Sequence, residues 1–267
     1  VNLRSLGYRT DLIFARFHGR VTDLGEAVAV ANPNSPAHYF GNLLVFRAPP
    51  ERGDLPNWER LFAQYIGQPP LTPHRLFGWD VPALGPADVT EFLEAGYHLE
   101  ENAVMAAPRL HAPPHLNSRA EYRPVLDTDE EWAQVLENQV GSREDGYDEA
   151  RYRQFKATQL RGLRDMCRAG LGVWYGAFID GQLTADLGVF TDGHGLLRYQ
   201  SVGTSPAFRR QGLCGSLTFR AGEHARAHFQ AEQLVIVADE HGGAKRVYES
   251  VGFQDVERQQ LLLHRGR

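Results

Sequence analysis

A chain of 267 residues can fill two cores of ordinary domain size, so two domains are expected. Its net charge of −5 gives no electrostatic footprint for nucleic acid, and neither a membrane-length apolar run nor a secretory signal is present, so it reads as soluble and cytoplasmic, with no nucleic-acid or membrane partner. The two cysteines, Cys167 and Cys214, build no disulfide framework and no Cys/His spacing matches a zinc site, which leaves free thiols and no metal as the expectation.

From the N-terminus, apolar patterning predicts strands at Asp11–Phe17, Ala27–Ala31 and Leu43–Phe46, an amphipathic helix at Asn57–Ile66, a strand at Arg75–Trp79, a helix at Ala87–Ala95 and a strand at Ala103–Ala107. The polar, Pro-rich stretch His111–Asn117 reads as an interdomain linker, giving domains 1–117 and 118–267. Beyond it come a short strand around Val125, a helix from Thr128, where Thr128-Asp-Glu-Glu131 is a capping box, and a longer helix over Glu149–Arg168 that stops at Gly170. Strands Val173–Ile179 and Leu183–Phe190 turn at Asp180-Gly181, and Leu196–Val202 follows the Gly193-His-Gly195 turn. A helix at Leu213–Phe229 and the strand Leu234–Ala238 complete a βαβ crossover. A short helix and a last apolar strand end the chain. This order predicts an α+β fold with a mixed, mostly antiparallel sheet flanked by helices.

The richest segment is Val202-Gly-Thr-Ser-Pro-Ala-Phe-Arg-Arg-Gln-Gly-Leu-Cys-Gly215, which joins a strand to a helix. Glycines at a helix N-terminus let backbone N–H groups approach an anion, the helix dipole adds partial positive charge, and Arg209 and Arg210 supply full charges. With Thr204-Ser-Pro206 before it, the run Arg209-x-x-Gly212-x-Cys214-Gly215 resembles the pyrophosphate loop of the GNAT superfamily of acyl-CoA-dependent N-acyltransferases. Ala244-Lys-Arg-Val-Tyr248-Glu-Ser-Val-Gly252-Phe253 is similar to that family's second element, in the expected order. The resemblance covers residues 118–267. Cys214 stands where the family usually has Gly or Ala, and His241 where many members have Asn. Phe92-Leu-Glu-Ala-Gly96-Tyr97 lines up with Tyr248-Glu-Ser-Val-Gly252-Phe253, so the N-terminal half reads as a degenerate repeat and the whole as two tandem GNAT-like domains. With Phe92 in place of Tyr248, and prolines and acids across Arg47–Asp54, this half is expected to hold no CoA in the usual way.

The resemblance implies acetyl-CoA as co-substrate, no metal, and direct attack by an amine of a small molecule or peptide. It places Arg209, Arg210, Gln211, Gly212, Cys214 and Gly215 around the CoA phosphates and the backbone of Val202 and Thr204 along the pantetheine and thioester. Tyr248 matches the tyrosine that protonates the leaving thiolate, or is a core residue. Glu240 or His241, after the strand Leu234–Ala238, would deprotonate the amine directly or through water; Asp186 and Tyr199 are further candidates. The N-terminal domain would brace the catalytic one, in a monomer or a homodimer. The aromatics around His38-Tyr-Phe40 and Phe77-Gly-Trp79 line a cleft or form core. A non-catalytic acyl-CoA sensor is the alternative.

Overall fold

The computed structural model describes residues 1–82, 85, 87–143, 146, 148–240 and 242–266. Two compact units divide the chain. The first is Val1–Val104, Val237–Glu240 and Asp255–Arg267; the second is Met105–Ile236 and His241–Gln254. The expected split at 117/118 assigns the chain's last strand to the C-terminal half, whereas that strand's partner β4 belongs to the first unit.

In the first unit, helix α1 (Leu6–His18) is followed by strands β1 (Arg20–Asp23), β2 (Ala27–Ala31) and β3 (Leu43–Phe46), helix α2 (Leu55–Tyr65), strand β4 (Arg75–Trp79), the short helix α3 (Thr90–Glu94) and strand β5 (His98–Ala107). The chain's last strand, β11 (Gln254–His264), pairs antiparallel with β4, while β3 and β4 run parallel through the α2 crossover. Strands β2 and β3 are apolar at every position because both faces are covered. Ala27, Ala29, Leu44 and Phe46 pack with Trp58, Phe77, Trp79 and Phe92, whereas Val28, Val30, Leu43 and Val45 pack with Tyr8 and Leu12 of α1. Phe77 and Trp79 are therefore core.

The expected strand at Asp11–Phe17 is instead the end of α1, whose buried Leu6, Tyr8, Leu12, Ile13 and Ala15 follow helical spacing. Distant partners fix it: Asp80 accepts from the Ser5 amide at 2.7 Å and Glu257 from the Leu6 amide at 2.7 Å, satisfying the helix N-terminus. The helix expected at Ala87–Ala95 is confined to α3, and the last strand of this region begins earlier than expected, at His98.

The second unit opens with strand β6 (Glu121–Pro124) and helices α4 (Asp129–Gly141) and α5 (Glu149–Arg168). The antiparallel meander β7 (Gly172–Ile179), β8 (Gln182–Thr191) and β9 (Leu196–Thr204) follows. Helix α6 (Leu213–Phe229) crosses over to β10 (Gln233–Asp239), parallel to β9, and α7 spans Ala244–Glu249. Thr128 caps α4 by accepting from the Glu131 amide at 3.3 Å, but the Glu131 carboxylate turns to Arg123 and the Leu126 amide, so only half of the capping box forms. The stretch read as a linker is packed: the Asn117 amide donates to Ser216 Oγ at 2.8 Å, and its side chain to the Gln211 carbonyl at 2.8 Å. Among the described residues no helix is long and apolar enough to cross a membrane.

Candidate functional site

The loop between β9 and α6 turns through a short 3-10 segment, Pro206–Phe208, and two residues with left-handed backbone, Arg210 (φ 62°) and Gly212 (φ 74°). Gly212 is required twice over, because a Cβ there would lie 2.5 Å from the His115 carbonyl oxygen. The 17-residue helix α6 thus begins at a glycine with no capping side chain and no acid in its first turn. Its N-terminal amides and dipole face a cavity of about 310 Å³ lined by Pro113, His115, Thr204, Arg209, Arg210 and Val247. Gly215 lets the walls close in, since a Cβ would meet Pro113 at 3.3 Å and Val247 at 3.5 Å.

Arg209 is exposed and donates to the Thr204 carbonyl at 3.3 Å and the Ser142 carbonyl at 3.3 Å, so its charge stays at the loop without a carboxylate partner among the described residues. Arg210 and Gln211 are exposed. Cys214 lines the same cavity, and burial pushes its thiol up to about 11, which makes it a small neutral packing residue rather than a nucleophile. Val202 and Thr204 are half-buried on β9, whose register with β10 spans Leu196–Arg198 against Gln233–Val235. Pro113 and His115 escaped the sequence reading, which took their segment for a linker; the paired prolines were the available signal of a rigid wall.

Tyr248 on α7 is 5% exposed and packs edge-on to Phe253. Burial, with a smaller contribution from the Cys214 thiol, holds its phenol well above the usual range, and its hydroxyl has no hydrogen-bond partner among the described residues. Tyr199 differs: its hydroxyl donates to the Thr218 carbonyl at 2.9 Å, an ordinary core tyrosine. Glu240, in the first unit, is ion-paired to Arg258 at 3.1 Å. His241 lies outside the described residues.

The first unit has its own strand–loop–helix turn between β3 and α2, and its chemistry is opposite. Glu91 Oε1 accepts from the Gly53 amide at 3.0 Å and the Leu55 amide at 2.8 Å, so a protein carboxylate occupies the anion position at the start of α2. Phe92 beside it is fully buried against Trp58, Phe77 and Tyr97.

No protein-family model matches the chain, and no curated protein matches its sequence. Solved structures do match. A functionally unknown conserved protein from Staphylococcus epidermidis aligns over 94% of this chain and 96% of its own with a TM-score of 0.68 at 12% identity. A GCN5-related N-acetyltransferase from Kribbella flavida aligns over 98% and 97% with a TM-score of 0.65 at 16% identity. A tandem GNAT protein from the clavulanic acid biosynthesis pathway aligns over 99% and 93% with a TM-score of 0.57 at 14% identity. These likenesses show the fold alone: an α+β fold like that of GNAT proteins, aligned over 99% of this chain with a tandem one.

Proposed function

We propose that the protein is an acyl-CoA-dependent N-acyltransferase that transfers acetyl from acetyl-CoA to an amine of a small molecule or peptide by direct attack. The observation that carries this reading is the α6 N-terminus, left without acid or cap and opening on a cavity flanked by Arg209 and Arg210, in a chain of GNAT fold. Arg209, Arg210 and the amides from Gln211 to Gly215 would hold the pyrophosphate, and the Val202 and Thr204 backbone the pantetheine and thioester. Tyr248 would donate its proton to the leaving sulfur. Because burial disfavours a lone phenolate, that proton has to be made good by the one the attacking nitrogen sheds. Glu240 and His241 stand as candidates for the acceptor side, Glu240 with its carboxylate taken up by Arg258. The proposed division of labour assigns catalysis to 118–267 and leaves 1–117 a degenerate partner.

That engaged carboxylate favours a second reading, an acyl-CoA-binding sensor without turnover. Release of free thiol from acetyl-CoA in a screen of amines decides between them: amine-dependent release supports the enzyme, and binding without release supports the sensor. Calorimetry tests the site itself. Replacing Arg209 and Arg210 together by Ala removes charge-assisted contacts worth roughly 1.5–3 kcal/mol each, and unchanged CoA affinity would overturn the assignment.

A further inference from the structure

A buried polar cluster in the second unit is used by neither the phosphate loop nor Tyr248. Lys156 on α5 is 8% exposed, and its ammonium donates to Gln159 Oε1 at 3.0 Å and to Ser201 Oγ at 3.4 Å. Asp186 on β8 is fully buried; its Oδ1 accepts from Gln139 Nε2 at 2.5 Å, and its Oδ2 has no partner among the described residues. The backbone is bent at the same place. The register of β8 with β9 shifts between Asp186 and Gly188, and Ser201 adopts φ 53°, a conformation disfavoured for serine. Gln139 also donates to the Ser201 carbonyl at 2.7 Å, and a Cβ on Gly203 would come within 2.8 Å of Gln139 Nε2 and 3.2 Å of Asp186 Oδ1. Buried polar groups and backbone strain gather where a function holds them, and Ser201 immediately precedes Val202 of the proposed thioester cradle.

Resting on the acyltransferase reading, we propose that Lys156 takes the proton from the acceptor ammonium, with Asp186 as its positioning residue. The step balances. R–NH₃⁺ passes one proton to the Lys156 amine, which later gives it to solvent, and the freed lone pair forms the C–N bond. The C–S bond breaks with its electrons on sulfur; sulfur takes the Tyr248 proton, and the second proton shed by nitrogen restores Tyr248.

Burial lowers Lys156 to about 8, and the charge of Asp186 opposes that shift. Asp186 is the carboxylate that faces Lys156, from β8; α4 presents the amides of Asn138 and Gln139, β9 the Ser201 hydroxyl, and α5 itself Gln159 and the Tyr152 phenol ring at 5.8 Å. Turnover therefore rises with pH through about 8 as Lys156 loses its proton.

The test measures thiol release from acetyl-CoA by the full-length chain across pH, with butylamine, an ammonium in the working range, and with hydroxylamine, already neutral there. Lys156→Gln is expected to lower butylamine turnover roughly 10²–10⁴-fold and to remove the inflection near 8, leaving only the steady rise of the free amine with pH, with a smaller loss for hydroxylamine and with CoA affinity close to wild type. Asp186→Asn removes the charge that opposes the shift, so the inflection moves to lower pH, a change that a merely structural role would not produce. Thiol release with an unaltered inflection in both variants overturns this inference and leaves the acyltransferase standing. Acetylation of Lys156 itself in place of the added amine also overturns it. A wild-type chain that binds acetyl-CoA yet turns over neither amine overturns the acyltransferase reading, and this one with it.

Discussion

Among the buried tyrosines, hydroxyl partners separate framework from candidate chemistry. Tyr8 donates to the Gln260 carbonyl at 2.8 Å, Tyr97 to Glu59 at 2.8 Å and Tyr199 to Thr218 at 2.9 Å, as buried phenols normally do. Tyr248 has no such partner among the described residues, and Phe92, which the sequence pattern sets against it, needs none. Removing the Tyr248 hydroxyl thus breaks no internal bond. Tyr248→Phe is expected to lower kcat roughly 10²–10⁴-fold while CoA affinity and Tm stay close to wild type. Equal kcat in the variant would return Tyr248 to the core.

At the scale of elements, the β9–α6 turn carries the site, and Gly212 is its most constrained position. Alanine there meets both the positive φ and the His115 carbonyl, a strain on the order of 1–3 kcal/mol that the loop can relieve only by moving. Gly212→Ala is expected to weaken CoA binding more than it lowers Tm, and calorimetry showing full affinity would mean that the loop backbone does not hold the phosphates. This turn was legible in the sequence because its signals are local: glycines, arginines and the apolar period of α6, whose predicted span Leu213–Phe229 agrees with the structure. Helix α1 was not legible, since the Asp80 and Glu257 carboxylates that satisfy its first amides lie 75 and 251 residues further along the chain. The same limit hid Glu91 on the start of α2 and Arg258 on Glu240. It also hid the bend that brings Ser201 to Lys156.

Over the whole molecule, the two units share a parallel βαβ crossover and differ in what meets its helix. Glu91 fills the anion position of the first, so one CoA per chain is expected by calorimetry, and two equivalents of similar affinity would refute the degenerate reading. The first unit is also assembled from both chain ends. Leu262 of β11 packs with Trp58, Phe77 and Phe92 on one face of its sheet, and Leu261 and Leu263 pack with Tyr8 and Leu12 on the other. All three leucines are at most 1% exposed, and burying each contributes about 1.5–3 kcal/mol. A fragment spanning 118–267 keeps the phosphate loop but carries β11 without β4 to pair with, leaving an apolar strand edge open to association. It is expected to self-associate and to melt well below the full chain, even where it still binds CoA. A monodisperse fragment with the Tm of the full chain would show that β11 finds equivalent burial without residues 1–117, and the bracing role of the N-terminal segment would fail while the loop's assignment stood.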